Sequence, residues 1–280
     1  MFQSIRLPSG EKLALDVVPP RGAVDFGGGC RPAATTAVYV HGLGSHRGGE
    51  KALFFEQEFV ARGCGFARFD LRGHGESDST FEQLTLTRQL EDLSAVLSHL
   101  ASGAAGAPPE RALLIGSSLG ALTVAWHTAV AGSAASGSLP VLAQVLIAPA
   151  FRIVERFLGA LGEFGRERWK REGVYRFVGP WFEFDLRWDV VAESERYPHA
   201  RLLEAKRPPT LVLHGTRDES APFRLSVEYV AGCKGQRPKL VAIEGGDHRL
   251  SAWKARLLDE ILGFLRTDCG IGEGEFACKP

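Results

Sequence analysis

The stretch RALLIGSSLGALTVAWHTAVA, residues 111–131, decides how the rest of the chain is read. Its first part, RALLIG, is apolar on nearly every residue, which suits a strand covered on both faces. Its second part, from Leu119 onward, is a long apolar helical pattern. The two meet at Gly116-Ser117-Ser118-Leu119-Gly120, a GxSxG. With 33 glycines in 280 residues, such a pattern arises by chance about 0.2 times per chain, so the letters alone carry little. Their position carries more. Between a buried strand and an apolar helix the chain turns sharply, and glycine on both sides of the serine leaves room for neighbouring segments. The helix N-terminus then sets N–H groups and a positive dipole end beside Ser118. The bland alternative is a glycine-rich helix start in which the serine is a cap.

Outward from this stretch, the same alternation repeats. The runs TAVYV (36–40), FARFD (66–70), VLAQVLIA (141–148), TLVLHG (210–215) and KLVAIE (239–244) read as buried strands. Between them, Leu90, Leu93, Leu97 and Leu100 recur at helical spacing, as do Phe55 and Phe59, and Leu257, Ile261 and Phe264. Strands alternating with helices imply an α/β protein with a mostly parallel sheet and right-handed crossovers. Two alternating segments open the chain, Phe2–Leu7 and Lys12–Val18, parted by Pro8-Ser9-Gly10. They read as an antiparallel hairpin at one sheet edge. A Gly/Pro-rich loop (21–35) follows. Residues 150–208 break the rhythm and contain no convincing strand. Ten of the aromatic residues crowd into 151–190, among many Arg and Glu, which predicts a helical insertion packed by aromatics on one face. The expected organisation is a core of residues 1–149 and 209–280 with a cap at 150–208.

A serine hydroxyl needs a base to act as a nucleophile. His248 follows Gly245 and Gly246 at the carboxyl end of the last strand, where open α/β sheets place their sites. The base needs an orienting acid, and Asp218 in TRDESAP lies at the carboxyl edge of the preceding strand. A helix-capping role is the plain alternative for Asp218, and Glu219 and Asp247 are rival carboxylates by position. Acyl transfer also needs donors aimed at a developing oxyanion. His41-Gly42-Leu43-Gly44-Ser45 can present the Leu43 N–H, with the Leu119 N–H as its partner. His41 reads as structural, and Asp70, Arg72 and His74 in DLRGHGES read as a loop brace. From the aromatic insertion, Phe151, Phe182 and Trp188 are candidates for an apolar substrate wall, against the alternative that they merely pack.

Composition narrows the classes. Lys+Arg and Asp+Glu are both 33, so the formal charge is zero and no long-range field favours nucleic acid. The five cysteines are scattered without CxxC spacing, which suits reduced thiols rather than a disulfide framework or a structural zinc. No HExxH, P-loop or complete GxGxxG is present; Arg47 stands where the third glycine of that fingerprint would be. No metal or organic cofactor is expected. The opening MFQSIRLPSGEKLAL lacks a signal-peptide pattern and no run is long enough for a membrane span, so a cytoplasmic location is expected.

HGLG, DLRGHGES, GSSLG, HGTRD and GDH, in this order and spacing over about residues 2–266, resemble the α/β-hydrolase superfamily. The resemblance implies an eight-stranded, mostly parallel sheet with helices on both faces and a helical cap at 150–208. It implies Ser118 as nucleophile, Asp218 as acid, His248 as base, and Leu43 and Leu119 as the oxyanion pair. GEKALFFEQEFVARGCGFARFD, GSSLG and GDHRLS look like the branch holding the mitochondrial acyl-protein thioesterase and acyl-glucuronide esterase and its bacterial relatives. That branch implies a small-molecule acyl ester or thioester as substrate. The chain departs from it in GSSLGA, where a Gly-Gly end is commoner, in a rewritten cap, and in showing no transit peptide. A peptidase, lactonase or carbon–carbon hydrolase using the same residues, and a catalytically silent scaffold, are the competing expectations.

Overall fold

The computed structural model describes residues 2–21, 34–131, 139–179 and 182–270. Most of the loop 21–35, the loop 132–138, Trp181, Cys30 and Cys278 lie outside them. The sheet is built from β1 (Phe2–Arg6), β2 (Lys12–Val18), β3 (Thr35–Val40), β4 (Gly65–Phe69), β5 (Arg111–Ser117), β6 (Val141–Ile147), β9 (Thr210–Gly215) and β10 (Lys239–Ile243), in the order β1-β2-β4-β3-β5-β6-β9-β10. The chain runs from β3 to β4 on one side and then crosses back to β5 on the other. That reversal opens a crevice at the carboxyl ends of β3 and β5, where α/β sheets bind ligands. β2 is antiparallel to both of its neighbours, β1 and β4, and the other pairings are parallel.

Strand periodicity divides the core into two layers. Val38, Val40, Leu114 and Val212 face one apolar cluster, with the helices α2 (Leu86–Ala101) and α3 (Leu119–Ala131). Ala37, Tyr39, Leu113, Ile115 and Leu213 face the other, with α1 (Glu50–Ala61) and α8 (Lys254–Asp268). The leucine stripe of α2 is buried as its spacing requires, and the Thr85 side chain caps its first turn by accepting the Arg88 N–H. α3 is buried on nearly all of its turns, because it lies against the sheet on one side and against α2 and α6 (His199–Glu204) on the other.

The segment between β6 and β9 differs from the expectation of helices alone. α4 (Ile153–Glu172) is kinked at Gly162, where φ is 62°. A hairpin follows, β7 (Val174–Gly179) and β8 (Phe182–Arg187), and then α5 (Asp189–Ser194) and α6. The hairpin strands alternate aromatic and polar residues, Tyr175 and Phe177 turning to one side and Arg176 to the other. Trp169 organises this segment. It is fully buried, meets Phe177 at 5.2 Å and Trp188 at 5.4 Å between ring centroids, and donates its indole N–H to the Leu186 carbonyl at 2.9 Å. The dense aromatics therefore pack on one another around Trp169, in a cluster continuous with the apolar core on that face of the sheet.

Two buried imidazoles tie stability to acid. Burial holds His41 and His127 down to about 4, and the His127 Nδ1 has no hydrogen-bond partner among the described residues. Both rings are neutral when folded and take up protons once unfolded, near the ordinary value of 6.5. Their contribution is therefore complete above about pH 6.5. It is lost as pH falls towards 4, at up to about 1.4 kcal/mol per pH unit for each ring. Urea unfolding at pH 7 and pH 4.5 should show the His127→Phe variant losing about 2 kcal/mol less than the wild type over that interval. Equal losses in the two proteins would contradict this account.

Candidate functional site

Ser118 sits at the turn from β5 into α3, with φ at 56°, a left-handed value that a residue with a Cβ adopts at a cost of about 1–3 kcal/mol. The surroundings hold it there. Its N–H donates to the Ile147 carbonyl at 2.8 Å, and its own carbonyl accepts from the N–H groups of Ala121, Leu122 and Ala150 at 3.1, 3.2 and 3.1 Å. Glycine is required on either side for steric reasons. A Cβ on Gly116 would lie 2.4 Å from the Gly120 carbonyl oxygen, and one on Gly120 would lie 2.2 Å from that of Val40. The strand β3 thus passes in backbone contact with the start of α3.

His248 follows β10, in a loop pressed against the end of β9. A Cβ on Gly215 would fall 2.2 Å from the Gly246 carbonyl oxygen, and the Arg217 N–H donates to that same oxygen at 3.0 Å. Lys51 reaches from α1 to donate to the Arg249 carbonyl at 2.5 Å. Held in this way, the imidazole bridges two partners. The Ser118 hydroxyl donates to Nε2 at 2.9 Å, and Nδ1–H donates to the Asp218 Oδ2 at 2.7 Å. A carboxylate on the Nδ1 side fixes the tautomer and leaves Nε2 as the acceptor. Among the carboxylates weighed from sequence, Asp218 is the one that meets His248. Glu219 is exposed, and Asp247 caps its own loop by accepting the Leu250 N–H at 2.8 Å.

The Asp218 side chain is fully buried. Burial works against its charge, but hydrogen bonds from His214, from His248 and from the Ala221 N–H outweigh it. Its carboxyl is held well below the usual carboxylate range. His214 was not singled out in the sequence; the available signal was a His-Gly pair closing β9, as His41-Gly42 follows β3.

The loop after β3 passes beside Ser118. A Cβ on Gly42 would lie 3.1 Å from the Ser118 Cβ and 3.7 Å from its Oγ. The N–H groups of Leu43 and Leu119 have no hydrogen-bond partner among the described residues. Two histidines brace this loop. Leu71 N–H donates to the His41 Nε2 at 3.1 Å, and Gly44 N–H donates to the His74 Nε2 at 3.2 Å. A neutral imidazole is required for each bond, and burial pushes both rings towards the neutral form. Asp70 adds a third tie, accepting the Arg47 N–H at 2.6 Å.

An apolar cavity of about 130 Å³ opens next to Leu43 and Leu119 and runs between the core and the inserted segment. Leu122, Trp126, Phe157 and Leu186 form much of its wall. Glu193 and Tyr197 also line it. The Glu193 carboxylate caps α2, accepting the Leu86 and Thr87 N–H groups at 2.9 and 2.8 Å, and the Tyr197 hydroxyl meets that of Thr87 at 2.7 Å. Phe151 does not reach the cavity. It is fully buried and stacks on Tyr229, with centroids 4.3 Å apart. Trp188 packs on Trp169, away from the cavity wall. Phe182 opens β8, and its side chain lies outside the described part of the structure. Among the described residues, no cluster of His, Cys, Asp and Glu is placed to hold a metal ion, and no helix is long and apolar enough to cross a membrane.

Comparison with known proteins follows the same lines. A model of the alpha/beta hydrolase family matches residues 37–259. The mitochondrial palmitoyl-protein thioesterase ABHD10 of Bos taurus is 28% identical over 228 residues, covering 76% of this chain and 66% of that protein; the human protein is 27% identical. The chain thus spans just under two thirds of the length of these curated relatives. Among solved structures, a putative hydrolase from Agrobacterium vitis S4 superposes with a TM-score of 0.80 at 24% identity, covering 94% of this chain and 98% of that one. Mouse alpha/beta hydrolase domain-containing protein 10 superposes with a TM-score of 0.76 at 20% identity, covering 95% and 98%.

Adding one methyl group in Gly120→Ala forces β3 away from α3 and should destabilise the protein by about 3 kcal/mol or more. Urea unfolding midpoints measure it, and a shift within the range of ordinary surface substitutions would refute the close contact.

Proposed function

Given that the chain belongs to the alpha/beta hydrolase family, we propose that it hydrolyses carboxylic esters, acyl thioesters among them, with Ser118 as nucleophile, His248 as base and Asp218 as the orienting acid. The observation that carries the reading is the unbroken hydrogen-bond chain from Ser118 Oγ through the His248 ring to Asp218, at 2.9 and 2.7 Å. In the forward step, Ser118 Oγ attacks the acyl carbonyl while His248 Nε2 takes its proton. Asp218 keeps the ring in the productive tautomer and stabilises the imidazolium. The carbonyl oxygen gains charge and is met by the Leu43 and Leu119 N–H groups, which have no partner to give up among the described residues. Collapse expels the alcohol or thiol, which receives the proton from His248. Water, deprotonated by the same ring, then attacks the acyl-enzyme and releases the acid.

The apolar cavity beside Leu43 and Leu119 supports an apolar acyl or aryl group on that side, walled by Leu122, Trp126, Phe157 and Leu186. In this reading the segment 150–208 is a cap that roofs the acyl pocket, with Glu193 fastening it to the core. The thioesterase name of the ABHD10 relatives supports including thioesters. Peptidase, lactonase and carbon–carbon hydrolase activities share this machinery, and a silent scaffold shares the fold.

A panel of p-nitrophenyl esters from acetyl to palmitoyl, acyl-CoAs and aminoacyl amides separates these readings. Ester or thioester turnover is the expected result, and turnover of amides alone would overturn it. Ser118→Ala should lose at least about 10³-fold in kcat and all labelling by a fluorophosphonate probe. Turnover near the wild-type rate in that variant would end the proposal.

A further inference from the structure

Asp218 carries more donors than an orienting acid needs. Its Oδ1 accepts the Ala221 N–H at 2.7 Å. Its Oδ2 faces two rings at once, with His248 Nδ1 at 2.7 Å and His214 Nε2 at 3.0 Å. His214 closes β9 and is fully buried, edge-on to Phe223. Its Nε2 also lies 2.8 Å from the Ala221 carbonyl oxygen. Both of those neighbours are acceptors, so Nε2 carries the hydrogen. The other nitrogen, Nδ1, lies 2.7 Å from the hydroxyl of Ser226, which is buried in α7 (Phe223–Gly232). A neutral ring then accepts the Ser226 O–H at Nδ1. Ser226, His214 and Asp218 thus form a second hydrogen-bond chain that reaches the same carboxylate oxygen as His248.

We propose that His214, anchored at Nδ1 by Ser226, is a positioning residue for the Asp218–His248 pair: its Nε2–H holds the carboxylate so that Oδ2 faces His248 and shares the charge on that oxygen.

Three consequences follow from the geometry. The turn from Asp218 to Ala221 is spanned by one N–H that touches both ends, so the carboxylate cannot rotate about χ1 or χ2 without losing a buried, charge-assisted bond. Two donors on one oxygen compete for its electron density, so His214 weakens the His248–Asp218 bond while fixing its direction. Neither Ser226 nor His214 contacts Ser118 among the described hydrogen bonds, so their effect reaches the serine only through Asp218 and His248.

The inference rests on the role proposed above for Asp218, and the test keeps the two apart. If the wild type turned over no substrate of the panel and Ser118 failed to react with the fluorophosphonate, the functional reading itself would fall. The inference concerns differences among variants of an active protein. His214→Gln places an amide N–H near the position of Nε2. His214→Asn places one near Nδ1 and leaves Asp218 without it. Ser226→Ala keeps the ring and its Nε2–H and removes the bond that anchors Nδ1. Circular dichroism and thermal melting establish which variants fold.

The expected result is a kcat within about 3-fold of wild type for Gln and about 10-fold or more below it for Asn, with KM little changed in both. Ser226→Ala should fall between them. The proton between His248 Nδ1 and Asp218 supplies a reading that general loosening does not move in this direction. Its downfield NMR resonance should shift further downfield in Asn, where Oδ2 has one donor fewer, and stay near the wild-type position in Gln. Equal kcat values for folded Gln and Asn variants, or an unmoved resonance in Asn, would overturn the proposal. Should Asn fail to fold, Ser226→Ala and Gln decide alone. A resonance and kcat in Ser226→Ala identical to those of wild type would then overturn it.

Discussion

A methyl group has no place between the end of β3 and the start of α3. Gly120 brings the helix backbone to within van der Waals reach of the Val40 and His41 carbonyls, and Gly116 lets the strand end under the first turn of that helix. The serine between them is forced to a positive φ, and its side chain is thereby lifted out of the sheet. The remaining features of the site depend on this contact. It brings the loop after β3 against Ser118, and it leaves the Leu119 N–H at a helix start with no carbonyl one turn back to receive it. A second backbone contact, between Gly215 and Gly246, does the same for the two loops that carry Asp218 and His248. The site is assembled by close approach of main chains, and its side chains are only as well placed as those approaches.

Electrostatics then keeps the assembly in one protonation state. His41 and His74 accept backbone N–H groups, which they do only as neutral rings, and burial favours that form. Asp218 is buried as an anion, a state that needs donors on its oxygens, and it has three. In the proposed reaction the first arrangement would offer uncharged N–H donors to a developing oxyanion, and the second a charge to the imidazolium.

The inserted segment follows different rules from the sheet. Its aromatics pack around Trp169 in a cluster continuous with the apolar core on that face of the sheet, and Glu193 on the N-terminus of α2 and Tyr197 against Trp126 add further ties. This explains where the sequence reading and the structure part. The hairpin of β7 and β8 was hidden because its strands carry aromatics among charged residues and have one partner strand each, so they lack the β-branched runs of a central sheet. Phe151 and Trp188 are aromatic and close in sequence to the cavity, yet both are taken up by other rings. Residues from α2 and α3, Leu86, Leu122 and Trp126, line it instead, and nothing in their helical spacing separates a cavity wall from ordinary core.

The sequence by itself determined the strand–helix alternation, the edge hairpin, the leucine stripe of α2 and the sharp turn at Ser118. Each of these is set by the period of apolar residues or by the lack of a side chain at one position, and both can be read locally. The sequence ranked Asp218 above Glu219 and Asp247, but the bond that joins it to His248 and the identity of the cavity wall were decided by tertiary structure. Those depend on which groups meet across spans of 30 to 130 residues, as Asp218 meets His248 and His248 meets Ser118. Which of several nearby carboxylates turns towards an imidazole is fixed by the packing of loops against the sheet's end, and packing leaves no periodic trace in the chain.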